Sequence, residues 1–152
     1  MLSDCSDTRV KSIRRKARVP YSATQMFDLV NDVRAYPEFL PWCQAATVQL
    51  SRDDRLEATL DVGVGVVHKQ FSTRNRLNRP RSIEIELLQG PFRKLTGAWR
   101  FDDLSEDGCE VALALDFDVS SMPLKFLFEP FFEELARSQM DAFIKRAEIV
   151  YG

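Results

Sequence analysis

The sequence predicts an α+β fold: a bent, seven-stranded antiparallel sheet wrapped around one long C-terminal helix, with two short helices after the first strand. Three observations predict it. In the stretch from Met122 to Tyr151, residues Phe132, Leu135, Ala136, Gln139, Met140, Phe143, Ala147 and Val150 recur three and four apart, while Glu133, Glu134, Arg137, Asp141, Lys145 and Glu148 fall opposite, as on an amphipathic helix. From Val10 to Asp118 nearly everything alternates with period two, apart from one short helical region. A helix with so wide an apolar face needs a sheet to bury it.

Each element follows from its own residues. Val10 to Val19 sets Ile13, Ala17 and Val19 on one parity and Arg14, Lys16 and Arg18 on the other, a half-buried first strand with a basic outer face. Pro20 ends it. Ser22 with Gln25 forms a capping box for a helix whose Ala23, Met26, Phe27 and Val30 face inward. Asn31 and Asp32 stop that helix, and Val33 to Tyr36 make a second short turn. Pro37 and Pro41 bracket Glu38, Phe39 and Leu40, which reads as a constrained loop presenting two apolar side chains. Ala46 to Leu50 and Leu56 to Val62 make a hairpin over Arg52, Asp53 and Asp54. Gly63 and Gly65 then permit a tight reversal before Val66 to Leu77. Turns at Asn78-Arg79-Pro80, Gly90-Pro91 and Asp107-Gly108 separate Ile83 to Leu87, Leu95 to Phe101 and Val111 to Phe117. Pro130 fits the first turn of the long helix.

At 152 residues the chain reads as a single domain, residues 1–152, with 1–8 disordered. The net charge of −2 excludes whole-molecule attraction to nucleic acid or anionic membrane, although Arg9, Lys11, Arg14, Arg15, Lys16 and Arg18, and again Arg74, Arg76, Arg79 and Arg81, cluster in two segments. Cys5, Cys43 and Cys109 have no metal or redox spacing and suit a reducing compartment. No apolar run reaches the length of a membrane span. A cytoplasmic protein is expected.

Catalytic chemistry finds little support. His68 is the one histidine, mid-strand, with no acidic or cysteine neighbour at ligand spacing, so neither a metal site nor a nucleophilic triad can be assembled. Asp116 with Asp118 and Glu84 with Glu86 share polar strand parities, and Asp102 with Asp103 sit at a turn, so all three pairs read as solvated faces. Gly63-Val64-Gly65 lacks the further glycine and helix start of a phosphate cradle. No catalytic residue, metal or cofactor is expected.

The aromatic inventory says more. Phe39 and Phe92 lie in Pro- or Gly-constrained loops, and such loops commonly line an opening. Leu124, Phe126, Leu127 and Phe128 precede the long helix, with Phe126 off its apolar phase, so Leu124 to Phe128 is expected to form a hydrophobic flap across a cavity between helix and sheet. The expected lining is Tyr36, Phe39, Leu40, Trp42, Phe71 and Phe92, with Trp99, Phe117, Phe126, Phe128, Phe131 and Leu135. A head group could meet Arg74, Arg93, Tyr36 or Gln70.

Val19-Pro20-Tyr21-Ser22-Ala23, Met26 to Val33 and, above all, Tyr36-Pro37-Glu38-Phe39-Leu40-Pro41-Trp42-Cys43 resemble the START-type helix-grip family that contains the coenzyme-Q-binding proteins and the bacterial ribosome association toxins. Phe71-Ser72-Thr73-Arg74-Asn75, Gly90-Pro91-Phe92 and Gly97-x-Trp99-x-Phe101 extend the resemblance over nearly all of the chain after Val10. It implies a helix-grip fold and non-enzymatic binding of a polyisoprenoid quinone such as ubiquinone, or a similar lipid, with transient membrane contact. Its alternative is a toxin that binds the large ribosomal subunit and blocks subunit joining, for which Arg14, Lys16, Arg18, Arg74 and Arg76 would contact RNA phosphates; DNA is not an expected partner. Some helix-grip relatives are aromatase/cyclases, a third possibility that His68→Ala would address.

Overall fold

The computed structural model describes residues 10–64, 66–105 and 107–152. The expected disorder of 1–8, together with Cys5 and Gly65, lies outside the described residues. The elements run β1 (Lys11–Val19), α1 (Ala23–Asn31), a 3-10 turn (Val33–Ala35), α2 (Tyr36–Phe39), β2 (Cys43–Ser51), β3 (Arg55–Val64), β4 (Val67–Asn78), β5 (Ser82–Gln89), β6 (Phe92–Asp103), β7 (Cys109–Val119), α3 (Met122–Leu127) and α4 (Glu129–Tyr151). All seven strands form one antiparallel sheet in the order β1-β7-β6-β5-β4-β3-β2, so the first strand pairs with the last and β1 and β2 are the edges. The expected fold is the observed one.

The sheet bends because its ladders are interrupted. Register shifts fall at Cys43/Ala45 and Val48/Leu50 of β2, at Ser72/Thr73 of β4 and at Phe92/Lys94 of β6, and bulges of this kind sharpen local twist. At Gly97 a Cβ would sit 2.5 Å from the Ala114 carbonyl oxygen and 2.7 Å from a Leu115 methyl, so only glycine lets β6 and β7 approach this closely. The concave face carries Ile13, Leu56, Ala58, Ile83, Leu95, Trp99, Leu113 and Phe117, and α4 lays Phe132, Leu135, Ala136, Met140, Phe143 and Ala147 against it. Val150, expected on that apolar face, is exposed with Ile149 near the helix's end.

Local sequence sets the helix starts. The Gln25 amide donates to Ser22 Oγ (3.1 Å) and the Ser22 amide to Gln25 Oε1 (2.9 Å), the expected capping box. The Ala23 amide donates to Asp103 Oδ1 (2.8 Å), so Asp103, exposed at the end of β6 as expected, also caps the start of α1. Where a loop was expected, Tyr36–Phe39 makes one helical turn closed by Leu40 N–H to Tyr36 O (2.9 Å). Pro37 lies in its first turn, where no amide hydrogen is needed, and Pro41 follows its end. Pro130 occupies the same kind of position in α4.

Candidate functional site

Between α4 and the concave face lies a cavity of about 80 Å³. Val30, Val33 and Tyr36 close it from the short helices, Ala58, Leu60, Ile83, Ile85, Leu95, Leu113 and Leu115 form its floor with Phe71 and Trp99, and Phe132 and Leu135 form its roof with Trp42 at the side. Thr73, Asn75 and Gln139 are the polar members. The Tyr36 hydroxyl donates to the Val30 carbonyl, and burial pushes that phenol far above its ordinary range, so it stays neutral. Tyr36 is the one ionisable group among the described lining residues.

Of the expected lining, Tyr36, Trp42, Phe71, Trp99 and Leu135 do face this cavity. Phe92, Phe117 and Phe128 instead fill one end of the core around Phe132, whose ring centroid is 4.9 Å from those of Phe92 and Phe117 and 5.8 Å from that of Phe128. Phe39 packs edge-on against Tyr36 (6.1 Å) and Phe143 (5.4 Å) with Arg146 over its face, and Leu40 is buried in the core without lining the cavity. Phe131 borders a surface depression with Pro41, Trp42 and Leu135. The expected flap does not close: Phe126 is 74% and Leu127 67% exposed, and of its described apolar side chains only Phe128 turns inward. Leu124's side chain lies outside what is described. On the same short helix Lys125 turns inward, binding Asp118 and reaching Glu129 (3.5 Å), while Phe126 and Leu127 lie on the exposed flank.

The same ion pairs correct the reading of Asp118. It sits on the outward parity of β7 yet is buried under Lys125 with Arg93 at 3.8 Å, whereas Asp116 accepts from Ser12 (2.6 Å) and pairs with Arg14 (3.1 Å) at the surface. None of the four proposed head-group donors is spare within the cavity. Arg74 faces outward onto Glu57 (2.9 Å) and Glu86 (3.5 Å), Gln70 donates to Asp61 (2.6 Å), Arg93 serves Asp118, and the Tyr36 hydroxyl is engaged. Sequence reading missed Thr73, Asn75 and Gln139, although their signal was present: polar residues on otherwise apolar parities.

On the convex face the two basic segments are not neighbours, since β7, β6 and β5 separate β1 from β4. Arg14, Lys16 and Arg18 each have an acidic partner, Asp116 at 3.1 Å or Glu110 at 4.0 and 3.6 Å. Arg76 and Arg100 have no ion pair within 4.0 Å among the described residues; the trough they share over Ala98 and Ala114 is also lined by Glu84, Glu86 and Asp116, and Arg100 with Arg14 and Lys16 edges a second over Ala98, Ala112 and Ala114. His68 lies exposed on β4 with Nδ1 3.0 Å from Gln44 Oε1. Cys43 and Cys109 are buried, and burial pushes each thiol up to about 11. Among the described residues no cluster suited to a metal ion occurs, and no helix is long and apolar enough to cross a membrane.

Residues 19–144 match the family described as polyketide cyclase/dehydrase and lipid transport. The chain belongs to the polyketide cyclase and lipid transport family. This family member is 44% identical over 140 residues to the ribosome association toxin RatA of Pseudomonas aeruginosa, covering 92% of this chain and 97% of that protein. It is 29% identical over 136 residues to the mitochondrial coenzyme Q-binding protein COQ10 homolog B of Xenopus laevis, covering 87% of this chain and 56% of that one. Among solved structures, the Zhui aromatase/cyclase of a Streptomyces species superposes with a TM-score of 0.80 at 17% identity, over 91% of this chain and 94% of that one. That last likeness speaks for the START-like fold alone. The resemblance seen in the Tyr-Pro-x-Phe-Leu-Pro run is thus borne out at the level of family.

Proposed function

We propose that this chain is one non-catalytic binding domain that acts in the cytoplasm and associates with the ribosome, ribosome association being what the name of its RatA relatives says of them. The observation that carries this reading is the 44% identity spanning 97% of RatA. The contacting surface is the convex sheet face, with Arg14, Lys16 and Arg18 at one edge, Arg74 and Arg76 on β4, and Arg100 between them. Because most of these cations already hold acidic partners, Arg76 and Arg100, which have no ion pair within 4.0 Å among the described residues although Glu84, Glu86 and Asp116 line the same trough, are the ones most available for phosphate contact. The test is co-sedimentation with purified large subunits across a salt series. Binding that weakens with salt, and weakens more for Arg76→Glu than for Arg74→Glu, supports the proposal, and protein left in the supernatant at low salt overturns it.

A second reading, binding of an apolar ligand, is favoured by the cavity. Among its described lining residues Tyr36, whose hydroxyl is engaged, is the one ionisable group, which favours binding over an aromatase/cyclase role. At about 80 Å³ it is well below the roughly 300–1,000 Å³ of drug-sized sites, so a polyisoprenoid tail enters only if α4 and the sheet part. Lipid extraction of the purified protein with mass spectrometry checks this; a copurifying quinone or lipid supports it, and a clean extract with no ligand-induced rise in melting temperature sinks it.

A further inference from the structure

On the outer surface, α4 and the turn before β2 frame a depression of about 200 Å³ that neither reading above uses. Pro41, Trp42, Phe131 and Leu135 line it, with exposed Glu134 and Ser138 beside them. Trp42 and Leu135 also line the inner cavity, so they stand between the two spaces. The frame is stiff. Pro37 and Pro41 restrict the turn, the Cys43 amide donates to the Leu40 carbonyl and the Gly63 amide to the Trp42 carbonyl (both 2.9 Å), and Phe131 rests against Phe128 with ring centroids 6.0 Å apart. A concave apolar site that needs no rearrangement loses little entropy when a side chain fills it.

Charge selects the occupant. Glu134 is the one charged residue lining the depression, and it has no ion pair within 4.0 Å among the described residues. The acids nearest to the lining in the chain are already matched, Glu133 with Arg137 (3.0 Å) and Glu38 with Arg146 (3.1 Å). What is left over at the depression is therefore negative, which repels nucleic acid and anionic lipid, and the surface of a bilayer does not enter a concavity. An open hollow of this size buries too little of a free small molecule, but it suits the anchor side chain of a protein partner. We propose that it receives a protein segment in which one leucine- or phenylalanine-sized side chain lies next to a lysine or arginine, the apolar group filling the depression and the cation pairing with Glu134. The proposal rests on neither reading above, since it uses neither the convex face nor the inside of the cavity.

Matched peptides separate the apolar anchor from the charge. Acetylated and amidated Gly-Lys-Leu-Lys-Gly, Gly-Glu-Leu-Glu-Gly and Gly-Lys-Ser-Lys-Gly are each titrated into the ¹⁵N-labelled full chain, following the Trp42 indole and the amides of Phe131, Leu135 and Ser138. The basic leucine peptide should bind with a Kd of about 1 mM, about threefold more tightly than the acidic one at low salt and about tenfold more tightly than the serine one. Glu134→Lys should reverse the order of the two leucine peptides, and Ser138→Phe, which sets a ring into the depression, should abolish binding. Neither change removes a tertiary contact, because the Ser138 hydroxyl donates to the Leu135 carbonyl of its own helix (3.0 Å) and Glu134 holds no ion pair, so both variants should keep the wild-type pattern of resonances elsewhere. Absence of shifts with the basic leucine peptide, equal binding of the two leucine peptides, or binding that survives Ser138→Phe overturns the proposal. So does the same set of shifts on adding phosphatidylglycerol vesicles, since the occupant would then be a bilayer.

Discussion

Asp118 shows how a single side chain escapes its sequence pattern. Period two placed it on the outer face of β7, and there it lies, but α3 folds back and sets Lys125 over it. Parity tells which face a residue takes, not what later covers that face, nor that an exposed residue such as Asp103 also accepts from the start of α1. Asp118→Ala should therefore destabilise by about 1–3 kcal/mol in urea unfolding, because Lys125 and Arg93 lose a buried carboxylate and Lys125 keeps Glu129 alone. Asp116, with a similar sequence context, behaves differently. Burial would raise its carboxyl, but hydrogen bonds from Ser12 and Arg14, with the charges of Arg14 and Lys94, outweigh that and hold it below its ordinary 3.8. A carboxyl depressed in the folded state adds stability above its unfolded pKa and loses it as pH falls through the folded one. Asp116→Asn should thus be less stable than wild type near neutrality, with the gap closing below about pH 4. Urea midpoints at pH 7 and pH 3 measure it.

At the scale of elements, the strands, the capping box and the apolar stripe of α4 were all readable, because each is fixed by residues within a few positions of one another. The α3 segment was not, since its orientation depends on a β7 carboxylate. Two substitutions in adjacent helices separate the cases. Phe132 packs edge-on or tilted against Phe71, Phe92, Phe117 and Phe128 with centroids 4.9 to 5.9 Å away, so Phe132→Ala should cost about 3–5 kcal/mol of unfolding free energy. Phe126→Ser, at a side chain already largely exposed, should change it by less than about 0.5 kcal/mol. If Phe126→Ser were as damaging as Phe132→Ala, the outward placement of α3 would be wrong.

Over the whole molecule, the site was harder to read than the fold because a cavity belongs to no one element. Trp42, Phe71 and Trp99 were chosen for being aromatic and do face it; Phe92, Phe117 and Phe128 were chosen for the same reason and fill the core instead. Nothing local distinguishes a ring that lines a void from one that plugs it. Ala58, Ile83 and Leu113, by contrast, looked like ordinary sheet core and became the floor. Without α4 that floor has no roof, so a chain ended after Phe128 should lack dispersed NMR resonances and bind a hydrophobic dye such as ANS.

The pairing of β1 with β7, together with the Tyr151 hydroxyl donating to the Gln25 carbonyl 2.8 Å away, bears on when this protein can fold. Residue 11 waits for residue 117, and the helix that covers the concave face closes onto α1 through residue 151. While the chain emerges from the exit tunnel, the meander has no roof and β1 no neighbour, so the barrier carries the loop-closure entropy of nearly the entire sequence. Native structure should therefore arise after synthesis passes residue 151 rather than during it, and the nascent sheet, apolar on one side, is the species that chaperones would meet.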